Sequence, residues 1–149
     1  MRQIPAQKIY IASDHAGFSL KKNLIEKLQE AGFQIFDLGC HSAEISVDYP
    51  DYANALCSKI KKKSQIFGIL ICGSGVGISI AANRFKHVRA ALCRDVKSAK
   101  LARAHNDANA VCLGARAVKD KLALSIVKAF LTSKFEGGRH EARVAKLSK

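Results

Sequence analysis

Short apolar runs alternate along this sequence with longer amphipathic stretches, and this alternation restricts the fold more than any other feature. Repeated strand–helix units build a parallel sheet that helices cover on both faces. The apolar runs are nearly continuous, as is typical of strands buried on both sides. We therefore predict an α/β fold, a three-layer α/β/α, Rossmann-like domain with a five-stranded parallel sheet. The strands are predicted at 8–13, 33–38, 66–72, 88–93 and 110–113.

Helical periodicity fills the intervals between these strands and the remainder of the chain. Asp95 stands where an N-cap is needed at the start of the fourth helix. In the fifth helix, Leu122, Ile126 and Phe130 recur on one side and are expected to face the sheet. The helices are predicted at 17–31, 49–63, 76–85, 95–104, 119–135 and 139–147.

The 149 residues are long enough for one domain, and residues 1–7 are interpreted as an N-terminal extension without an assigned role. The N-terminus has no apolar core of a signal peptide, and no stretch is long enough to cross a bilayer. The five cysteines are odd in number and form no Cys-x-x-Cys pair. This use of cysteine indicates a reduced, cytoplasmic protein with no disulfide framework and no metal site. The lack of a long apolar stretch indicates no membrane association.

The formal net charge of +13 is a property that many nucleic-acid-binding proteins share. Here the lysines and arginines are scattered over most of the chain, and no recognition motif accompanies them. We therefore expect no nucleic-acid partner and interpret the basic surface as one that attracts a small anionic substrate. A non-enzymatic, basic phosphate-binding or nucleic-acid-binding protein remains the alternative from a different functional class.

The most distinctive motif is the segment 72–79, Cys-Gly-Ser-Gly-Val-Gly-Ile-Ser, which follows the most apolar strand. Its three alternating glycines allow a sharp turn that points several backbone N–H groups into one space, and the next helix adds its positive end. The spacing matches neither a P-loop nor the dinucleotide-binding fingerprint. The segment therefore predicts an anion site with Cys72 at its edge.

The cysteines of this sequence are expected to have different roles. Cys72 lies where a strand ends and a helix begins, and the positive end of a helix stabilises a thiolate. We interpret it as a reactive group, because the glycine turn beside it is useful only if something approaches the backbone closely. Cys93 and Cys112 lie in apolar strands and are interpreted as structural, since a free cysteine packs as a small apolar side chain.

Polar residues that follow strands are further candidates, since ligands of parallel α/β sheets bind beyond the carboxyl ends of the strands. Asp14 and His15 follow the first strand, and Arg116 follows the fifth. His105 follows the helix after the fourth strand, and we expect it at the same edge of the sheet. Two histidines and an acid at one edge favour acid–base chemistry.

Five segments resemble, in this order, the family of B-type ribose-5-phosphate isomerases, which includes galactose-6-phosphate and allose-6-phosphate isomerases. The resemblance covers the chain from about residue 8 to residue 143. Five ordered segments are far more specific than any one of them. They are 13–18, 48–53, 72–79, 104–109 and 135–140.

The resemblance implies a cofactor-independent aldose–ketose isomerase of the non-oxidative pentose phosphate pathway, which interconverts D-ribose 5-phosphate and D-ribulose 5-phosphate through an enediolate. It implies that Cys72 transfers the proton with help from Ser74. It also implies that His105 and Asp14 open the sugar ring. The implied substrate contacts are His15, Tyr49, Gly73, Gly75, Val76, Gly77, Asn106, Arg116, Arg139 and Arg143. Allose 6-phosphate or galactose 6-phosphate remains the alternative substrate, since spacing does not reveal pocket depth.

The resemblance finally implies a homodimer or tetramer with shared active sites, in which Arg139 and Arg143 come from the neighbouring subunit. These arginines lie four residues apart on one helical face and suit a phosphate dianion. Gly137 and Gly138 would let residues 136–149 leave their own domain. We therefore expect one domain over 1–149 whose C-terminal helix packs on a neighbouring subunit.

Overall fold

The predicted five-stranded parallel sheet is confirmed by a computed structural model, which describes residues 7–61 and 65–148. The strand order is β2-β1-β3-β5-β4, and every pair of neighbouring strands is parallel. Most of the predicted N-terminal extension lies outside the described residues. The strands are β1 (Lys8–Ser13), β2 (Gln34–Asp37), β3 (Ile66–Cys72), β4 (Ala90–Leu92) and β5 (Ala110–Gly114).

The six predicted helices are present in the described residues, with some different ends. They are α1 (Phe18–Glu30), α2 (Tyr49–Cys57), α3 (Val76–Ala82), α4 (Val96–Asn106), α5 (Asp120–Thr132) and α6 (Arg139–Leu147). The helix predicted at 49–63 ends at Cys57, and part of its predicted remainder lies outside the described residues. The helix predicted at 76–85 ends at Ala82, because the side chain of Asn83 turns to bond both backbone groups of Ala90.

The helices cover the sheet in two layers, each with its own apolar cluster. Helices α1, α4 and α5 pack on one face, and α2 and α3 pack on the other. The central strands β3 and β5 are buried almost throughout, whereas β2 lies at an edge and is largely exposed. The expectation that Leu122 faces the sheet is wrong: it lies at the margin of the α5 stripe and is 41% exposed, and Ala123 is buried instead.

The direction of α4 decides where its two ends lie. Asp95 follows β4 and caps the helix, since its Oδ1 accepts a hydrogen bond from the Ser98 amide at 2.6 Å. At the other end, Asp107 pairs with the side chain of Arg89, which directly precedes β4. The carbonyl of Asn109 also accepts from Gly68, close to the start of β3. Helix α4 therefore runs from the carboxyl edge of the sheet to its amino edge.

Among the described residues, no helix combines the length and the apolar character that crossing a membrane requires.

Candidate active site

The segment between β3 and α3 forms a tight turn, and each of its glycines has a steric reason. Gly75 has a φ of 79°, and a Cβ there would lie 2.8 Å from the backbone nitrogen of Gly114. A Cβ on Gly73 would lie 2.8 Å from a guanidinium nitrogen of Arg116. A Cβ on Gly77 would lie 2.8 Å from the hydroxyl oxygen of Tyr49. The three glycines therefore bring two predicted substrate contacts, Arg116 and Tyr49, against the backbone of the turn.

Cys72 lies at the start of this turn, with its side chain directed at a backbone amide. Its Sγ accepts a hydrogen bond from the Gly75 nitrogen at 3.2 Å, and the residue is 3% exposed. One backbone amide of the turn is therefore already directed at the sulfur of this buried side chain. Ser74 is exposed, and its Oγ accepts from the Val76 amide at 3.1 Å, which leaves the hydroxyl proton available for donation.

The ends of β1 and β3 are adjacent, which brings Asp14 and His15 beside the turn. The Asp14 amide donates to the carbonyl of Ile71, and its Oδ1 accepts from Gly17 at 3.0 Å. His15 accepts a hydrogen bond from the Val47 amide at its Nδ1, at 3.1 Å. The proton of a neutral His15 therefore resides on Nε2, where it can be donated to a ligand. Both residues line a cleft of about 480 Å³ that also includes Tyr49.

The other cysteines differ from Cys72 in their surroundings. Burial raises the pKa of Cys57 to about 12, and burial also raises that of Cys93. Burial in the centre of the sheet raises the pKa of Cys112 well above its ordinary value. These thiols stay protonated at neutral pH, so their packing agrees with the structural interpretation of Cys93 and Cys112.

His105 and Asn106 do not lie at the same edge as Cys72 within one chain, so the expectation of a single edge is wrong. They end α4, whose 11 residues span about 16 Å, and that end lies at the amino edge of the sheet. His105 follows a strand–helix pair in the chain, and the helix carries it back across the sheet from the carboxyl edge to the amino edge. Asp14 and His105 are therefore on opposite edges of the same domain.

His105 and Asn106 instead lie with the C-terminal helix, in a group that we call the α4–α6 surface. The amide of Glu136 donates to the carbonyl of Ala104 at 3.0 Å, which ties the segment before α6 to the end of α4. The ring of His140 stacks on that of His105, with centroids 4.3 Å apart and an interplanar angle of 13°. The surface consists of His105, Asn106, Glu136, Arg139, His140 and Arg143.

Glu136 and His140 were missed by the sequence analysis, although their spacing of four residues within one matching segment was visible. One Glu136 oxygen lies 3.8 Å from His105 Nε2 and 3.6 Å from His140 Nε2. The three groups offer ligand atoms within 4.8 Å of one another, so a cluster of metal-ligand types exists where we expected none. Because the two rings are nearly parallel, their in-plane lone pairs do not converge on one point, and the arrangement does not fit a shared metal ion.

Comparison with known proteins gives a consistent result over almost the whole chain. The model of the family described as Ribose/Galactose Isomerase matches residues 9–147. Ribose-5-phosphate isomerase B of Escherichia coli is 46% identical over 138 residues, which cover 93% of this chain and 92% of that protein.

Two solved structures are also similar to this chain. Ribose 5-phosphate isomerase B of Anaplasma phagocytophilum has a TM-score of 0.91 at 46% identity, with 97% of this chain and 99% of that one covered. The ribose-5-phosphate isomerase B of Mycoplasma genitalium with bound ribulose-5-phosphate also has a TM-score of 0.91 at 46% identity, and the match covers 96% of this chain and 95% of that one.

Proposed function

This chain belongs to the ribose/galactose isomerase family, and on that premise we propose that it interconverts D-ribose 5-phosphate and D-ribulose 5-phosphate through an enediolate, as an aldose–ketose isomerase. The observation that carries the proposal is the pairing of Cys72 with the glycine turn, where a thiol accepts a backbone amide hydrogen bond. The mechanism needs a base, an anion site and a ring-opening group, and residues of this chain are available for each.

Cys72 is the proposed base. Its thiolate removes the C2 proton of the open-chain aldose and returns it to C1, while a second proton passes from the C2 oxygen to the C1 oxygen. Ser74 is placed to help this second transfer, since its hydroxyl proton is free. The enediolate carries negative charge, and the amides of the turn, including the first helical amides at Gly77 and Ile78, have no acceptor within α3.

The phosphate and the hydroxyl groups of the sugar need separate contacts. His15 offers its Nε2 proton, and Arg116 lies over Gly73 at the same edge of the sheet. Arg139 and Arg143 are exposed on one side of α6 and suit a phosphate dianion. Tyr49 and Asn106 are the proposed contacts to substrate hydroxyls.

Ring opening is assigned to His105 and Asp14, which lie at opposite edges of one chain. They can act on one sugar only if two subunits share the site, with Asp14 and Cys72 from one and the α4–α6 surface from the other. In the proposed homodimer, or in a tetramer built from such dimers, the second subunit therefore supplies His105 to the site as well as Arg139 and Arg143.

The surroundings of the turn support such a shared site. Tyr49, Val76 and Ile80 are apolar or aromatic and are 37%, 41% and 60% exposed, and Tyr49 and Ile80 line one cleft with Gly77 of the turn. Exposed apolar groups that are contiguous mark protein interfaces. Helix α6 begins against its own α4 through His140, and its remaining side chains are largely exposed. Its packing on a neighbouring subunit stays a prediction.

Mixing two variants of low activity tests the shared site. In a mixture of Cys72→Ala and His105→Asn subunits, each hybrid dimer contains one site with both groups intact. Activity should return to about a quarter of wild type, since random exchange makes half the dimers hybrid and each has one intact site of two. The matched control mixes Cys72→Ala with Arg116→Ala, which alter the same half and should not complement each other. No recovery in the first mixture despite proven exchange contradicts the shared site.

A coupled assay of ribose 5-phosphate against allose 6-phosphate and galactose 6-phosphate tests the substrate. We expect the pentose phosphate to be preferred, and a higher kcat/KM for either hexose phosphate would replace the proposed substrate within the same family.

Activity should persist in EDTA, because the parallel rings at His105 and His140 do not suit a metal ion. A cytoplasmic location and only weak, salt-sensitive nucleic-acid binding complete the proposal.

A further inference from the structure

His140 lies under the ring of His105, and the mechanism proposed above gives it no task. It is 7% exposed, whereas the side chain of His105 is 37% exposed. The buried ring is thus the lower member of the stack, and the exposed ring is the one a sugar can reach. We propose that His140 is a positioning residue for ring opening, which holds the imidazole of His105 in one plane and leaves it as the ring that exchanges the proton. This inference rests on the proposed role of His105.

The ring of His140, which serves as a platform for His105, is held by contacts on both sides of the stack. The backbone nitrogen of His140 donates to the carbonyl of Gly137 at 3.1 Å in the first turn of α6. The neighbouring amide of Glu136 is bonded to the carbonyl of Ala104, the residue before His105. The two histidines are therefore fixed relative to each other by the backbone as well as by the stacking. A half-exposed histidine at a helix end would otherwise sample several orientations.

The surroundings of His140 disfavour its protonated form. The groups that face His140 are His105 from α4, Arg139 and Arg143 from α6, and Glu136 from the segment before α6. Burial, then His105 and the nearby Arg139, lower the pKa of His140, and Glu136 only partly opposes them. Its neutral form is thus favoured in the folded protein at and above neutral pH. Two protonated rings at stacking distance would repel each other, so a neutral His140 suits a positioning role beneath the more exposed ring.

Glu136 completes the arrangement as a counter-charge. Its Oε2 lies 3.8 Å from Nε2 of His105, and its side chain is 60% exposed. At that exposure the attraction is modest, but it acts only on the protonated ring. The carboxylate therefore lies within ion-pair distance of the ring that is proposed to exchange the proton. A metal ion is a poorer explanation of the same three groups, because the stacked rings would have to rotate apart to bind it.

The test separates ring opening from proton transfer. Ribulose 5-phosphate is acyclic, since its C5 oxygen carries the phosphate, so deuterium uptake at its C1 in D2O reports enediolate formation without ring opening. Conversion of ribose 5-phosphate requires both steps. His140→Ala removes the platform, and His140→Phe keeps a flat ring at the same place. Lys146→Ala, an exposed change on the same helix, is the control.

We expect His140→Ala to lower kcat for ribose 5-phosphate by about tenfold, as expected for a misplaced acid–base group, with little change in KM. Deuterium uptake into ribulose 5-phosphate should stay within about twofold of wild type, and His140→Phe should recover most of kcat. Equal losses in uptake and conversion, or full kcat in His140→Ala, would overturn the inference. Failure of the proposed function is distinguishable, because His105→Asn would then also leave conversion unchanged or reduce both measurements alike.

Discussion

The glycine turn at Gly73–Gly77 and the α4–α6 surface both present positive character to an anion, but they do so by different means. The turn uses backbone amides that packing against Gly114, Arg116 and Tyr49 holds in place. The α4–α6 surface uses long side chains that are mostly exposed, with only His140 buried. A preorganised backbone stabilises a charge that develops during the reaction, because it need not reorganise. Exposed arginines and a stacked histidine suit a group that arrives from another subunit.

The largest expected loss of activity comes from a substitution at the glycine turn. Cys72→Ala should lower both conversion of ribose 5-phosphate and deuterium uptake into ribulose 5-phosphate by at least about 100-fold, because a positioned base contributes 10²–10⁴-fold. Binding of substrate, measured by calorimetry, should persist. As a control, Cys112→Ala should change the unfolding free energy more than turnover, since that thiol is fully buried. A Cys72→Ala enzyme that keeps a tenth of wild-type turnover would remove the cysteine from its proposed role.

The next largest loss of activity is expected from a substitution in the α4–α6 surface, and it should affect only one of the two measurements. His105→Asn should lower conversion of ribose 5-phosphate by about 10–100-fold while deuterium uptake into ribulose 5-phosphate remains, since an acyclic substrate bypasses ring opening. The pair of measurements should thus separate the two regions. The same fractional loss in both would mean that His105 acts in proton transfer and that the two regions do not divide the reaction between them.

Two glycines give a smaller test of how rigid each region must be. Gly75→Ala should destabilise the protein by about 2–4 kcal/mol, since it forces both a positive φ and a clash with the backbone of Gly114. Gly138 also has a positive φ, of 56°, but a Cβ there meets nothing within 4 Å. Gly138→Ala should therefore cost only the backbone strain of its conformation, with φ 56° and ψ −128°, of about 1–3 kcal/mol and without a packing contribution. Similar losses in denaturant unfolding would show that backbone conformation, and not packing, limits both.

The smallest effect is expected at the helix that links the two edges. Asp95→Ala should lower the unfolding free energy by about 1 kcal/mol, because the cap to the Ser98 amide is lost. Asp95→Asn, which can form the same bond, should recover it. Neither change should alter the ratio of deuterium uptake to conversion. A selective loss of conversion in Asp95→Ala would mean that losing the N-terminal cap of α4 disturbs His105 at its C-terminal end.

Much of the fold was predictable because its signals are local. The nearly continuous apolar run of β3 predicted its bounds without error, since a strand buried on both faces has no polar interruption. The end of α2 was not predictable in this way. Helical periodicity continues past Cys57, and only packing decides where the chain leaves the helix.

The sequence by itself determined the parallel sheet, the glycine turn and the residue types of the candidate site, because each follows from short-range spacing and from the chemistry of single side chains. The position of His105 across the sheet from Asp14 already follows from the predicted parallel sheet, since a helix that joins two parallel strands returns from the carboxyl edge to the amino edge. Only the tertiary structure decided that His140 lies buried beneath His105. That contact joins two helices separated by a strand and a further helix, and no local pattern records it.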